Sequence, residues 1–335
     1  MALLLSLTMT ACSDDDEEEL VGNWTKYDTF TGAPRSGAVV FVINEEVYMG
    51  LGYNSEETKR YQDFYKYNVN KKEWTKLKDF PGVGRNKAVA FAVDGKGVVG
   101  SGFDGKNKCK DFWVYNPATD EWTETNEFPG DARYGAVAFA IGDKGYVGTG
   151  YTEDGAKKDF YQFNPADNSW VAIPEIPGDK RRDATAFVIN DKAYVVCGSN
   201  NSTVSKQLYV FDPSLLGGTG SPWTEKRKIY NVSDESYDDD YSTIIGTNKV
   251  SFVMGGLGYV TTGGSGTPGK ITWEYNPLTD LWTERTNFEG VARNEAIAFT
   301  VGDKGYVGLG KTSSLDLDDI FVFDPTAEVD ENDND

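Results

Sequence analysis

An arginine recurs at a fixed position along this sequence, and its side chain is well suited to ligand chemistry. Five arginines each lie six residues before a phenylalanine: Arg35, Arg85, Arg133, Arg181 and Arg293. A guanidinium group presents a planar fork of donors that fits carboxylates, sulfates and sugar hydroxyls. Grouped around an opening, the five would form a positive mouth for a ligand. Alternatively, a residue that repeats in every unit would bond carbonyls or a nearby acid, such as Asp131 or Asp179, and hold the units together.

Other polar and aromatic residues vary between the repeats, and variable positions on a regular scaffold are where specificity is usually built. The position after the arginine differs from copy to copy. Tyrosines also occur in the variable loops and in an acidic insertion. We therefore predict that the arginines share a ligand site with these residues: Asn86, Asn294, Tyr53, Tyr134, Tyr151 and Tyr237.

The composition excludes several kinds of site. The chain has no histidine, which removes the commonest general base and most zinc, copper and non-haem iron sites. Cys109 and Cys197 fall in separate repeats with no metal-binding spacing, so we expect two unpaired thiols. We predict no metal and no cofactor. No motif marks a catalytic residue, and Arg293 and Glu295 are the acid–base candidates of the last repeat, together with the acids of the insertion.

The charge is concentrated in a few segments. The net charge is −20, and acidic residues cluster in segments 14–19 and 234–240 and in the C-terminal tail. The remaining body is nearer to neutral and carries no basic stripe. Nucleic acid is therefore not an expected partner.

One unit of four short strands fills nearly the whole chain. A phenylalanine marks the first strand of each copy: Phe41, Phe91, Phe139, Phe187, Phe252 and Phe299. A second strand ends in glycine, a third ends in an aromatic residue followed by Asn or Asp, and a fourth carries tryptophan. One such meander has too little core to fold alone, and repetition around an axis solves that problem.

These features resemble the kelch repeat, over roughly residues 21–325. The resemblance rests on the glycines that close the second strand, the aromatic residue before Asn/Asp-Pro, and the tryptophan of the fourth strand. The usual adjacent glycines are here mostly Gly-x-Gly, as in Gly148 and Gly150. The resemblance implies an all-β fold, a six-bladed β-propeller with four-stranded antiparallel blades. It also implies a central ligand pocket lined by loops that precede the first strand and follow the second.

The two ends of the chain complement each other. The last copy ends at Phe323 and lacks a tryptophan strand, whereas the chain begins with a spare one around Trp24. Trp24 precedes Phe41 by 17 residues, the same spacing as between Trp74 and Phe91. We therefore predict that the N-terminal strand completes the last blade and closes the ring.

One junction is longer than the others. Trp223 and Phe252 are separated by 29 residues, and Gly246 occupies the arginine position of that copy. The insertion within 226–245 is rich in tyrosine and aspartate. It is either a solvated acidic loop or a lid that supplies stacking tyrosines beside the blade that lacks the arginine.

The N-terminus resembles a bacterial lipoprotein signal peptide. A short apolar run at 3–9 is followed by Thr10-Ala11-Cys12, as in a lipobox, and the acids after it resemble the surface-export tag of Bacteroidota-type lipoproteins. We predict lipid attachment at Cys12 and an outer-membrane location, with the cell surface favoured and a periplasmic orientation left open. The predicted boundaries are 1–12 for the signal and lipobox, 13–20 for an acidic linker, 21–325 for the propeller and 326–335 for an acidic disordered tail.

Three classes of function fit this sequence. The first is a monomeric, surface-anchored binding protein for a glycan, an anionic small molecule or a protein, attached to the membrane only through its lipid. The second is a carbohydrate-active enzyme, since some kelch propellers resemble sialic-acid mutarotases, which need only positioned arginine, glutamate and polar groups. The third is a scaffold for a protein complex at the outer membrane. Fold alone does not decide among them.

Overall fold

Six antiparallel sheets are arranged as the blades of a propeller, which confirms the predicted all-β fold. The computed structural model describes residues 20–264 and 266–330. Each blade has four strands, here called a to d from the axis outward, and the fourth blade carries one additional short strand. No helix of the described residues is long and apolar enough to cross a membrane.

The strands occupy equivalent positions in every blade. Strands a are Val39–Ile43, Val89–Val93, Val137–Ile141, Arg182–Ile189, Val250–Met254 and Ile297–Val301. Strands b are Glu46–Gly50, Lys96–Gly100, Lys144–Gly148, Lys192–Asn200, Leu257–Thr261 and Lys304–Gly308. Strands c are Phe64–Asn68, Phe112–Asn116, Phe160–Asn164, Tyr209–Phe211, Thr272–Asn276 and Asp319–Asp324. Strands d are Glu73–Lys76, Glu121–Glu124, Ser169–Ile173, Trp223–Glu225, Leu281–Arg285 and, for the sixth blade, Asn23–Thr29.

Short elements decorate the loops between strands b and c. Two small hairpins are formed by Tyr53–Asn54 with Lys59–Arg60 and by Tyr151–Thr152 with Gly155–Ala156, and Thr203–Val204 extends the fourth blade. Two 3-10 turns lie at Pro213–Leu215 and Ser236–Asp238. The two hairpins and the short strand at 203–204 all belong to the face that carries the d–a and b–c loops, where a ligand site is expected.

Glycine and phenylalanine fit together where neighbouring blades meet. A Cβ on Gly97 would lie 2.2 Å from the Phe41 ring of the preceding blade, and one on Gly145 would lie 2.0 Å from the Phe91 ring. The same approach recurs at Gly258 and Gly305. A methyl group at these positions would overpack a tight core, a change that costs about 1–3 kcal/mol. The glycine at the second position of strand b, present in four blades, is thus a consequence of blade-to-blade packing. Alanines of strands a line the axis, where their small side chains fit.

The first strand of the chain closes the ring, as predicted. Residues 23–29 pair antiparallel with 319–324 of the sixth blade. Trp24 is fully buried, and its ring centroid lies 5.0 Å from that of Phe288 and 4.7 Å from that of Phe323. Gly22 N donates a hydrogen bond to Ala327 O. The chain therefore enters and leaves on the side of the a–b and c–d turns.

The long junction before the fifth blade packs on that blade's outer strands. Ile229 and Ile244 are fully buried in a cluster with Trp273 and Trp282. The Tyr241 hydroxyl donates to the Trp282 carbonyl at 3.1 Å and accepts from the Trp282 amide at 2.6 Å. The apolar residues of the insertion thus pack as part of the fifth blade. Its acids Asp234, Glu235, Asp239 and Asp240 are exposed, as the solvated acidic loop predicts.

Candidate functional site

The recurrent arginines are structural ties within single blades. All five are at most 1% exposed. Arg133 is typical: its Nε donates to Asp131 O at 3.0 Å, its Nη1 to Thr149 O at 2.9 Å, and both Nη atoms bind the Asp159 carboxylate at 2.7 and 2.8 Å. The same ion pair recurs as Arg35–Asp63, Arg85–Asp111 and Arg293–Asp319. Each pair ties the d–a loop to the start of strand c.

Of the two predicted roles, the structure supports the one in which the arginines bond carbonyls and a nearby acid, and it corrects the identity of that acid. The acids predicted as partners, Asp131 and Asp179, bind their arginines through backbone carbonyls. None of the five arginines lines the central cavity, so they do not form its mouth. Although burial opposes ionisation, the paired arginines hold the pKa of Asp111 and of Asp159 below the usual value.

Two blades depart from this motif. In the fourth, Gln207 replaces the aspartate and binds Arg181 Nη2 through its amide oxygen at 3.3 Å, and burial lowers the pKa of Arg181. In the fifth, Gly246 replaces the arginine and Lys249 fills the space, since its Cε would be 2.8 Å from a Cβ on Gly246. Lys249 Nζ donates to Thr262 O at 3.3 Å, and burial lowers its pKa.

A bowl of about 760 Å³ opens at the axis on the face of the d–a and b–c loops. An aromatic arc forms one side of this bowl, where the ring centroids of Phe103 and Tyr134 lie 5.7 Å apart and those of Tyr134 and Tyr151 lie 5.6 Å apart. Arg60 extends the arc, with its guanidinium 5.2 Å from the Phe103 centroid and 4.5 Å from that of Tyr53.

The other side of the bowl is polar, and cations lie beside the arc. Amide and hydroxyl side chains from the fourth and fifth blades face the cavity: Ser199, Asn201, Ser202, Thr247 and Asn248. Arg182 donates to the Tyr134 hydroxyl at 2.8 Å and its guanidinium lies 4.6 Å from the Tyr151 centroid. Lys108 also lines the bowl. One wall thus offers ring faces, and the other offers donors and acceptors.

The floor of the bowl is a ring of residues, each two positions after the arginine position: Gly37, Lys87, Gly135, Asp183, Asn248 and Glu295. Five backbone N–H···O=C bonds of 2.8–3.0 Å connect these residues in order around the axis. All six have positive φ values between 50° and 60°. The side chains at two of these positions are absent because the residues are glycine, which leaves room for the charged ones.

A charged network occupies this floor. Lys87 Nζ contacts Asp183 Oδ1 at 2.9 Å, Asn248 Oδ1 at 3.0 Å and Glu295 Oε1 at 3.3 Å. Although burial opposes it, the carboxylates of Asp183 and Glu295 raise the pKa of Lys87. Lys311 Nζ lies 3.1 Å from the same Glu295 oxygen. The described residues contain no cluster of three metal-ligating side chains.

The predicted ligand-binding residues are therefore only partly brought together. Asn86, Tyr134 and Tyr151 line the bowl, and Tyr53 lies beside it under Arg60. Asn294 pairs through its backbone with Lys311. Tyr237 lies in the insertion, next to Arg227 and Tyr241. Cys109 and Cys197 are free, as expected, and Cys12 lies outside the described residues.

Sequence reasoning missed several residues of the site: Lys87, Phe103, Asp183 and Asn248. A signal for three of them was present, since the position two after the arginine varies between Gly, Lys, Asp, Asn and Glu from copy to copy. Such variation at an axial position of a regular scaffold indicates a binding floor.

Comparison with known proteins agrees with this architecture. A model of the KLHDC2/KLHL20/DRC7 kelch-repeats domain matches residues 21–176. A solved structure described as "Structure of YjhT" superposes with a TM-score of 0.70 at 19% sequence identity, covering 88% of this chain and 96% of that one. A search of curated proteins gave no match. The blade geometry thus shows a six-bladed β-propeller, and over residues 21–176 the chain is similar to the kelch-repeats domain.

Proposed function

We propose that this propeller is a carbohydrate-binding protein whose glycan ligand occupies the bowl. The observation that carries the proposal is the mixed lining of the bowl. The second and third blades supply the aromatic arc of Phe103, Tyr134 and Tyr151, and the fourth and fifth blades supply amide and hydroxyl side chains. Sugars have apolar faces that pack on rings and hydroxyl edges that exchange hydrogen bonds. The volume of the bowl is within the range of small-molecule sites.

The cations beside the arc favour an anionic glycan. Arg182, Lys108 and Arg60 lie on or next to the arc, in a chain whose net charge is −20. A local positive surface on an acidic protein attracts carboxylate or sulfate groups, and neutral hydroxyl groups of the same ligand can still accept hydrogen bonds there. An anionic small molecule would use the same contacts, and a protein partner would use the rim of the bowl.

A glycan array with the full chain tests this function. The expected result is binding to one structural class of glycan, with loss of signal for a Tyr134→Ala and Tyr151→Ala double variant. The matched control is Tyr230→Ala, which removes a tyrosine of the insertion. Equal binding by both variants and the unaltered chain would remove the bowl from the proposal.

Catalysis is the second candidate, because acid and base groups meet at the floor of the bowl. Lys87 lies within hydrogen-bonding distance of both Asp183 and Glu295. Such a set could move protons during opening and closing of a sugar ring, the chemistry of the sialic-acid mutarotases that some kelch propellers resemble. NMR exchange between the anomers of N-acetylneuraminic acid tests this candidate: exchange no faster than in buffer leaves binding as the function.

We also propose that the propeller is attached to the outer membrane as a monomer through a lipid on Cys12. The basis is the lipobox-like sequence alone. Metabolic labelling with palmitate should mark the full chain, and a Cys12→Ala variant should not be marked. Equal labelling of the two proteins would overturn the lipid assignment and would not affect the proposal for the bowl.

A further inference from the structure

The floor of the bowl contains an acceptor that the protein itself does not use. The Glu295 side chain is 9% exposed, and its Oε1 atom contacts both Lys87 and Lys311. Its other oxygen, Oε2, is buried and accepts no hydrogen bond from the described residues. A buried acceptor without a partner carries a desolvation penalty. A hydrogen-bond donor on a bound ligand would offset this penalty.

There is room for such a donor beside Glu295. A cavity of about 150 Å³ lies at the axis, lined by Gly37, Glu295 and the small side chains of strands a. A Cβ on Gly37 would lie 3.3 Å from Glu295 Oε2, so the glycine leaves the approach to this oxygen open. Lys87, Asp183 and Asn248 line both this cavity and the bowl. A ligand in the bowl therefore lies next to the cavity.

The surrounding charges decide the chemistry of the donor. Two ammonium groups, those of Lys87 and Lys311, already neutralise the Glu295 carboxylate, so a further cation or a metal would be repelled. The carboxylates of Asp183 and Glu295 exclude an anion. A neutral donor of small size fits both limits, and a hydroxyl group supplies one O–H donor and accepts in return.

We propose that this axial subsite, formed by Gly37, Lys87, Asp183, Asn248 and Glu295, binds one hydroxyl group of the bowl's sugar ligand. The hydroxyl donates to Glu295 Oε2, and its oxygen faces the Lys87 ammonium. Glu295 is thus a residue that determines which sugar fits, since a sugar without a hydroxyl at that point leaves the acceptor unpaired. The inference rests on the proposed carbohydrate binding and specifies which polar group of the sugar the floor recognises.

Calorimetric titration of the full chain tests the subsite, with the methyl glycosides of glucose, galactose, mannose, N-acetylglucosamine and glucuronate as probes. The Glu295→Gln variant should bind the tightest probe about tenfold more weakly, and one monodeoxy form of that probe should bind both proteins equally. Gly37→Ala, which fills the approach, should weaken binding to a similar extent. Its matched control is Gly142→Ala, which has the same backbone demand (φ +58° against +60°) but open space around it.

The outcomes separate this inference from the function it rests on. If Glu295→Gln and Gly37→Ala bind every probe as tightly as the unaltered chain, the cavity holds solvent only and the inference is wrong, while the bowl remains the binding site. If no probe binds the unaltered chain, carbohydrate binding itself fails. Circular dichroism and thermal unfolding of each variant establish that the weakened binding does not come from lost folding.

Discussion

Two groups of arginines in this propeller differ in how far their guanidinium groups are buried and bonded by the protein itself. Arg133 and its four counterparts are fully buried, and four of the five are paired with an aspartate through two hydrogen bonds. Arg60 and Arg182 lie at the bowl, stacked on aromatic rings, with an amide oxygen or a phenolic hydroxyl as hydrogen-bond partner. The guanidinium N–H groups of the first group are bonded to the protein, whereas those of the second group keep N–H donors available for a ligand.

The difference shows why recurrence and function separate in a repeat protein. A residue that recurs in five of the six blades satisfies a demand that those blades share, here the attachment of the d–a loop to strand c. Ligand contacts come from positions that change around the ring. The type of residue is therefore a poor guide to its role, whereas its variation between copies is informative.

Removing a buried arginine is expected to have the largest effect. Arg133→Met leaves the Asp159 carboxylate and two carbonyls without their donor, so the free energy of unfolding should fall by about 3 kcal/mol. Urea unfolding followed by tryptophan fluorescence measures the change. Arg60→Met is the control and should leave stability nearly unchanged, and a similar loss in both variants would erase the distinction between the two groups.

Removing a bowl arginine should affect binding instead. Arg182→Met deletes a guanidinium that stacks on Tyr151 and binds Tyr134, so affinity for an anionic glycan should fall about tenfold, or ~1.4 kcal/mol. Affinity for the uncharged form of the same glycan should change less. Calorimetric titration with both ligands makes the measurement, and an equal loss for the two would contradict an electrostatic role.

The fifth blade tests the cost of a buried lysine that has no carboxylate partner among the described residues. Lys249→Met should raise stability at pH 7 by ~1–2 kcal/mol, because an amine whose protonation is opposed by burial is replaced by an apolar chain. Because the folded-state pKa of Lys249 is lowered, the unfolded chain binds more protons between that pKa and the usual lysine value, and stability of the unaltered chain rises with pH there.

The gain from Lys249→Met should therefore shrink as pH rises toward about 10, near the unperturbed lysine pKa. Unfolding curves at a series of pH values check this slope. A gain that is constant across the alkaline range would show that packing alone, and not the charge, distinguishes the variant.

The fourth blade offers the smallest change. Gln207→Asp restores the acid found beside the other four arginines and should stabilise the fold by ~0.5–1 kcal/mol through a charged pair with Arg181. The thermal midpoint should rise in parallel. A lower midpoint would mean that the glutamine's bonds to Arg181 and to the Asp179 amide already serve this blade better.

The sequence predicted the blades well because each strand carries a local signal. The phenylalanine of strand a, the glycines of strand b and the tryptophan of strand d recur in the same order along the chain, and Trp24 indicated how the ring closes. These residues make contacts within a blade or with the adjacent one. Repetition alone therefore determines their environment.

The site was harder to predict because its residues meet only through the ring. Lys87 contacts Asp183, Asn248 and Glu295 across 96, 161 and 208 residues, and no spacing rule along the chain connects them. The partner of the arginine side chains was missed although it recurs, since an aspartate follows Arg85, Arg133 and Arg293 by 26 residues in each case. The aspartate lies in a different loop, and only the fold brings the two side chains together. Burial against that acid decided its role.

The position of the chain ends has a practical consequence for orientation. Residues 22 and 327 are hydrogen-bonded together on the turn side of the propeller, opposite the bowl. Any attachment that precedes residue 20, whether to a lipid or to a laboratory surface, therefore holds the propeller by the face of the a–b and c–d turns. The bowl then faces away from the support. A soluble polymer can then reach the bowl without passing the support, so tethering through either end should preserve access for large ligands.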